Sequence, residues 1–578
     1  MSYQLMFQKA VELHQNGALN EAEKLYRQIL ETAPDNADVL NLLGLIAQTK
    51  GLHEEAVAYF YKAANTAPNH FPIYFNLAVS LGACGKYAEA SEAYRKVLQL
   101  NPQCKEAFYG LGNLYWEQNN LDDAAENFAQ ALKLDANYLE AQTNLAEVKN
   151  DIEQLQKIAA NNPTALYYLG RHAFNVRDFT AAKKYLLQAD ALLESDEIKS
   201  VLGETLSELG EKESALKLFY KAESINPHNF TALINIADLE AENKNFDIAE
   251  TYYKKAIAVD SADLRAHANY AEMLNRCHRT LEALEEYRQA VIISPQTPEL
   301  SYNLSLILKS LEEYEQALDL MFHAFYLAPQ HADWSLNIAE TLVLLNDNAP
   351  EKAKKICENW YKKMPDNLVA QHLWAAINHH TPTEDTAYNR LLFDTFAPTY
   401  EETLKNINYR VTDKIAELYT PLNGKILDLG CGTGLLGAKI KTKDNQLYGI
   451  DISPKMLELA RAKNIYTELA EQDIVQYLQA PHPQFDCIVA ADVFCYFGDL
   501  TNIFTLCNPC PLIFSVETDE SVQTFELQAN GRYKHNLNYL TTLLRNIGYE
   551  KVETTQTVLR SEHKSEVIGH LFRCTHIF

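Results

Sequence analysis

The feature that most constrains this 578-residue chain is a self-similarity at a period of 34 residues across its first two thirds. In a frame opening at Ala37, the eighth, twentieth, twenty-fourth, twenty-seventh and thirty-second residues are Gly44, Ala56, Phe60, Ala63 and Pro68. The frame from Phe71 puts Ala78, Ala90, Tyr94, Val97 and Pro102 at those positions, and the next gives Gly112, Ala124, Phe128 and Ala131. Later frames carry Gly203, Ala215, Phe219, Ala222 and Pro227, then Ala237, Ala249, Tyr253 and Ala256, then Ala271, Ala283, Tyr287, Ala290 and Pro295. Two antiparallel helices per unit explain the spacing. Small residues let the helices approach, the aromatic fills the gap between units, and proline ends the second helix.

These residues resemble the tetratricopeptide repeat, and the resemblance covers about residues 3–367. It implies an α-solenoid of about eleven units, with a truncated one near Leu139–Asn162 and a two-residue insertion near Asn348-Ala349-Pro350. A final helix, Leu368–His380, is expected to cap a repeat domain spanning 3–380. The sixth residue of the first helix is Asn76, Asn144, Asn235, Asn269, Asn303 and Asn337, a choice that packing does not require. First helices line the concave face of such superhelices, and an Asn amide can pair with both the N–H and the C=O of an extended peptide. The repeats of the O-linked N-acetylglucosamine transferase are similar here. The resemblance implies a polypeptide in the groove; the alternative is a solvated position inherited from a shared ancestral repeat.

Charge narrows the partner. Of a net −26, the stretch from Tyr388 onward contributes −5, which leaves −21 on the repeats. That balance disfavours nucleic acid, whose phosphates need basic patches, and favours a neutral or basic polypeptide. No window holds the roughly 18 apolar residues of a membrane span, and no basic-then-apolar leader opens the sequence, so no membrane association is expected. Ten scattered cysteines read as reduced thiols of a cytoplasmic protein. The close pair Cys507 and Cys510 lacks the second pair that zinc requires, so no metal is expected.

Beyond the expected linker His379–Asp385, the 34-residue frame disappears. Short apolar runs then alternate with helical ones: Lys425–Leu429, Gln446–Asp451, Tyr466–Ala470, Phe485–Ala491, Leu512–Glu517, Val552–Leu559 and Val567–Cys574. Helical segments between the first five, and none between the last two, predict a seven-stranded, doubly wound α/β sheet ending in an antiparallel hairpin, within a domain spanning 388–578. The loop after the first strand runs from Asp428 through Gly430, Cys431, Gly432 and Gly434 to Gly437. Its glycines let the backbone approach a ligand at the start of the next helix. On that turn alone a nicotinamide dehydrogenase competes, because Gly432, Gly434 and Gly437 fit its spacing and Asp451 follows 19 residues after Gly432.

Three further features favour another reading: Asp428 within the strand end, Asp451 followed by Ile452-Ser453-Pro454-Lys455-Met456, and Gln472-Asp473-Ile474 after the third strand. Together they resemble the Rossmann-like class I S-adenosylmethionine-dependent methyltransferases, and the whole chain looks like the bacterial predicted methyltransferases that carry tetratricopeptide repeats. The resemblance implies S-adenosyl-L-methionine as cofactor. Gly430, Cys431, Gly432 and Gly434 would cradle its methionine part, with Asp428 orienting the amine. Asp451 would take the ribose hydroxyls, Ile452 and Met456 would flank the adenine, and Asp473 with Ile474 would meet the adenine edge. The lead-in Leu392–Tyr400 resembles the helices that cover the cofactor in biotin- and ubiquinone-pathway methyltransferases, where Tyr400 would reach it. The family's Pro-Gly-Gly turn before the fifth strand is replaced here by Asn508-Pro509-Cys510-Pro511.

At the expected acceptor edge the polar candidates are Tyr496, Glu517, Arg532, Tyr533 and His535. Tyr496 and His535 are the candidate catalytic residues; His535 would be a base, and Arg532 would pair with a substrate carboxylate. No Asn/Asp-Pro-Pro-Tyr segment follows the fourth strand, which counts against amide or adenine amino-group methylation. Three functions fit: a protein methyltransferase fed by the groove, a small-molecule methyltransferase docked to a complex by its repeats, and a scaffold that binds the cofactor without catalysis.

Overall fold

The computed structural model describes residues 3–378, 380, 385–418, 424–562 and 565–576. It parts into two compact units, Met1–Ser261 and Ala262–Phe578.

The first unit is built from helix pairs that follow the 34-residue frame, from Tyr3–Gln15 with Leu19–Thr32 to Phe230–Glu242 with Phe246–Val259. The small residues act as the spacing implies. A Cβ added at Gly44 would lie 2.5 Å from the Phe60 ring, and one at Gly112 would lie 2.5 Å from that of Phe128. Ala56, Phe60 and Ala63 are fully buried. The truncated unit is a real irregularity, made of the short helices Leu139–Val148 and Ile152–Ile158.

In the second unit three more pairs run from Leu264–Arg276 to Pro350–Lys363. The insertion near Asn348 lengthens the helix Ala332–Asn348 to 17 residues. The capping helix is Leu368–Ile377, shorter than expected, because Asn378 ends it and returns its side-chain amide to the Trp374 carbonyl. Most of the expected linker, His379 and Thr381–Glu384, lies outside the described residues. Helix Asp385–Phe396 then packs onto the capping helix: Tyr388 stacks on His372 with ring centroids 3.8 Å apart, and both close on Gly531.

The strands that follow are β1 (Lys425–Leu429), β2 (Gln446–Asp451), β3 (Glu468–Glu471), β4 (Cys487–Ala490), β5 (Leu512–Glu517), β6 (Phe525–Leu527), β7 (Tyr533–His535), β8 (Lys551–Glu562) and β9 (Ser565–Thr575). One seven-stranded sheet has the order β3-β2-β1-β4-β5-β9-β8, parallel except for β9, which is antiparallel to both β5 and β8. The apolar runs of β1, β4 and β5 are buried on both faces, as parallel strands between helices must be. The third strand corrects the expectation of Tyr466–Ala470. Tyr466 stands outside it because its ring turns beneath the glycine turn, where its hydroxyl donates to Asp428 at 2.7 Å. The fourth strand is likewise narrower than Phe485–Ala491. A two-stranded sheet, β6 with β7, is inserted after β5 and was not expected, since three-residue strands carry too little alternation to read.

The order of the sheet fixes where a ligand can sit. Strand order reverses between β1 and β4, so the chains leaving their carboxyl ends diverge and open a crevice there.

Candidate functional site

A cavity of about 740 Å³, counting the space at its mouth, occupies that crevice. Gly430 and Gly432 line it from the turn after β1, Asp451, Ile452 and Met456 from the end of β2, and Gln472, Asp473 and Ile474 from the end of β3. The turn after β4 adds Ala491, Asp492 and Val493, with Tyr496 and Phe497 beyond it. Thr386, Asn389, Phe393 and Tyr400 complete the wall from the lead-in helices.

The turn has its shape because three glycines adopt left-handed φ, at +60° for Gly430, +53° for Gly432 and +83° for Gly434, a region costly for any residue with a Cβ. Asp451 holds it to β2. One carboxylate oxygen accepts the Gly432 N–H at 2.8 Å, and the other accepts the Ser453 N–H at 2.9 Å. Burial raises the Asp451 pKa, against the lowering effect of those backbone N–H groups. Ser453 caps the helix Pro454–Ala462, and Asp473 caps Ile474–Gln479 by accepting from the Val475 and Gln476 N–H groups. The lead-in helices are tied down by charge and hydrogen bonds. The Ser453 hydroxyl donates to Asp394 at 2.6 Å, Arg390 meets Glu471 at 2.7 Å, and Thr433 and Lys463 both reach Glu401.

A second, larger cavity shares Phe393, Tyr400 and Tyr496 with the first. Its other wall is the last repeat and the capping helix, through Asp333, Leu336, Asn337, Glu340, Val343, Val369 and Leu373; Arg532 closes one side. Behind the shared wall lies a buried ionic cluster. Arg532 contacts Asp492 at 2.6 Å and Glu517 at 2.9 Å, while Arg560 contacts Glu517 at 2.6 Å and Asp492 at 3.6 Å. Burial alone would raise the Asp492 carboxyl; the two guanidiniums outweigh it and hold the group below the usual carboxylate range. The Arg532 guanidinium also lies 4.9 Å above the Tyr496 ring and fixes it. Asp492, Cys495 and Glu517 lie close enough to hold a cation, but the two guanidiniums already balance both carboxylates.

The structure therefore gathers Gly430, Gly432, Asp451, Ile452, Met456, Asp473, Ile474 and Tyr400 around one cavity. It does not bring Asp428, Cys431 or Gly434 to the wall. Asp428 and Cys431 are buried beneath the turn, and Gly434 starts the helix behind it. On the acceptor side, Tyr496 lines both cavities and Arg532 the second, whereas Glu517 serves the ionic cluster. Arg532 is committed to two carboxylates, which corrects its expected pairing with a substrate carboxylate. Tyr533 packs against Ala376 and Leu527. His535 is fully buried with Nε2 3.0 Å from the Gly498 carbonyl, and burial lowers its pKa to about 4; it lines neither cavity, so the expected base is not at the site. Residues without an expected role that line the first cavity include Asn389, Phe393, Gln472 and Asp492. For Phe393, Gln472 and Asp492 the signal was positional, at a strand end or in the lead-in; Asn389 lies just ahead of the lead-in, on the helix that carries its first residues.

The ladder asparagines are half-buried or buried, and packing between helices uses several of them. Asn76 donates to Asn41 at 3.0 Å, and Asn144 donates to Tyr109 at 3.1 Å and Asn113 at 3.0 Å. Asn235 donates to the Thr231 carbonyl of its own helix, Asn303 pairs with Tyr287, and Asn337 donates to the Tyr302 hydroxyl at 2.7 Å. Asn269 is half-buried too. No helix among the described residues is long and apolar enough to cross a membrane.

Comparison with known proteins agrees with both parts of the architecture. Residues 426–509 match the model of a methyltransferase domain, and residues 7–70, 75–148, 197–229 and 234–298 match tetratricopeptide repeat models. Methyltransferase-like protein 27 of Homo sapiens is 31% identical over 135 residues, which is 22% of this chain and 53% of that protein. The RNA polymerase-associated protein CTR9 of Caenorhabditis elegans is 26% identical over 372 residues, 57% of this chain and 32% of its own length. DnaJ homolog subfamily C member 3 of Homo sapiens is 23% identical over 343 residues, 58% of this chain and 61% of that one. The chain thus spans between about a fifth and three fifths of the length of the curated relatives it matches. Among solved structures, the P58(IPK) TPR domain matches 59% of this chain and 97% of its own at 19% identity, with a TM-score of 0.26. The chain carries tetratricopeptide repeats followed by a methyltransferase domain.

Proposed function

We propose that this chain is an S-adenosyl-L-methionine-dependent methyltransferase acting on a polypeptide that its repeats present, in the cytoplasm, where its ten free thiols stay reduced. One observation carries the cofactor: three strand ends and a glycine turn with left-handed φ converge on a single cavity. The residues fit the group. A Cβ at Gly432 would meet nothing nearer than Tyr400 at 3.9 Å, so the space over that backbone is open to a ligand. Asp451 keeps carboxylate lone pairs beyond its two backbone bonds, enough for a vicinal diol. Ile452, Met456 and Ile474 offer apolar faces to a purine, and Asp473 keeps one oxygen outside its helix cap.

When bound, the cofactor supplies an activated methyl group on a sulfonium. The protein's part is to position the acceptor in line and exclude water. Phe393, Tyr400 and Tyr496 form the wall common to both cavities, so an acceptor in the second cavity reaches the first past them. Burial pushes the Tyr400 and Tyr496 hydroxyls well above their ordinary pKa, and they stay neutral. The polypeptide reading rests on Asn337, a ladder residue that lines the second cavity, which brings the repeat surface within one cavity of the shared wall.

Calorimetric titration of the full chain with S-adenosylmethionine tests the cofactor. Binding that Asp451→Ala abolishes is expected, and no binding to the intact protein refutes the reading. Treating a cell lysate with tritiated cofactor and the protein tests the acceptor. Label in polypeptide is expected; label confined to metabolites would favour a small-molecule enzyme, and binding with no label at all would favour a scaffold.

A further inference from the structure

We propose that the acceptor is the side-chain amine of a lysine, delivered through the second cavity; this rests on the methyl-transfer reading above. The chemistry of the cavity selects among nucleophiles. Its walls between the repeat and the shared tyrosines are mostly apolar, with Leu336, Val343, Leu373, Leu392 and Phe396 among them. Such a sleeve suits a long alkyl stem that carries a polar tip, because the methylenes are buried while the tip travels on. At the repeat end Asp333 exposes its carboxylate and Glu340 is paired with Lys309 at 2.8 Å, and no lysine is among the cavity's lining residues. Arg532, the arginine in that lining, is bound by Asp492 and Glu517. A cationic side chain is therefore drawn to the entrance by Asp333, and the arginine that an anionic one would meet in the lining is already paired.

At the inner end the Tyr400 and Tyr496 hydroxyls have no hydrogen-bond partner among the described residues, and both stand on the wall shared with the first cavity. Each can accept an N–H from an amine and so turn its lone pair toward the first cavity. No side chain there is needed as a base. Desolvation in an apolar sleeve lowers the pKa of an amine, so the ammonium gives its proton to water at the cavity mouth. The neutral nitrogen then forms the N–C bond while the C–S bond of the sulfonium methyl donor breaks. Its electron pair stays on sulfur as a thioether, and the positive charge ends on the methylated ammonium.

The test uses the full chain, tritiated S-adenosylmethionine, and short N-acetylated, C-amidated peptide libraries randomised except at a fixed central residue. The centre is lysine in one library and arginine, histidine, glutamine, glutamate or cysteine in the others. Label in the lysine library at least about tenfold above every other is expected. Asp333→Asn should raise KM for that library severalfold with cofactor affinity intact. Tyr496→Phe should lower kcat with intact cofactor binding, and Tyr400→Phe should lower kcat at saturating cofactor. Equal or greater label in any other library, or cofactor binding with no label in the lysine library, overturns the proposal. Failure of the cofactor to bind at all overturns instead the methyltransferase reading beneath it.

Discussion

Asp428 offers a quantitative test of how the domain is built. Its carboxyl is 1% exposed and accepts the Tyr466 hydroxyl at 2.7 Å. Burial pushes its pKa up to about 7; the charge of Asp451 adds to the rise, and the Tyr466 hydroxyl opposes it. In the unfolded chain the same group titrates at about 3.9. Below that value it is protonated in both states, and this part of the stability is fully present. As pH rises toward 7 the unfolded chain releases a proton that the folded domain keeps, so stability falls by about 1.4 kcal/mol per unit. The loss levels off above pH ~7, at a ceiling on the order of 4 kcal/mol that relaxation of the site will reduce. Asp428→Asn keeps the acceptor for Tyr466 and cannot titrate. The stability of the variant relative to the parent should therefore rise steadily between about pH 4.5 and 7 and then stay flat. Amide hydrogen exchange of peptides from β1 and β2 measures this, with parent and variant compared at matched pH so that intrinsic exchange rates cancel. A difference that does not change with pH over that range would refute the argument from burial.

Three other outcomes follow from the packing. Gly430→Ala places a Cβ 2.7 Å from Val493 Cγ2 at a φ of +60°, whereas Gly432→Ala meets nothing nearer than Tyr400 at 3.9 Å. Thermal unfolding should show the second losing about 1–2 kcal/mol from backbone strain alone and the first losing more. Arg560→Leu leaves Glu517 and Asp492 buried with one guanidinium between them, and urea denaturation should register a loss of about 3–5 kcal/mol; an unchanged midpoint would mean the cluster is not coupled. In the repeats, Gly203→Ala drives a methyl to 2.7 Å from the Phe219 ring and should cost about 1–3 kcal/mol by denaturation, while Gly210→Ala, with open space around it but φ at +80°, should cost only about 1 kcal/mol.

Much of this molecule was legible along the chain because its determinants are local. The 34-residue spacing of small residues, aromatic and proline sets the helix pairs, since each pair contacts chiefly its neighbours in sequence. Strands β1, β2 and β5 fall where their apolar runs begin and end, and the glycines at 430, 432 and 434 mark the turn because only they accept its backbone angles cheaply. What the chain could not announce depends on pairs far apart in sequence. His535, a base by residue type, is kept neutral by burial at the end of β7, and Arg532, a carboxylate binder by type, is spent on Asp492 and Glu517. The ladder asparagines looked free of packing duties until neighbouring repeats supplied partners such as Tyr302 for Asn337. Tertiary structure alone placed Tyr400 and Tyr496 on a wall shared by two cavities, one walled by the last repeat. Periodicity fixes which face of an element is buried; which distant groups meet across that face is decided only when the faces pack.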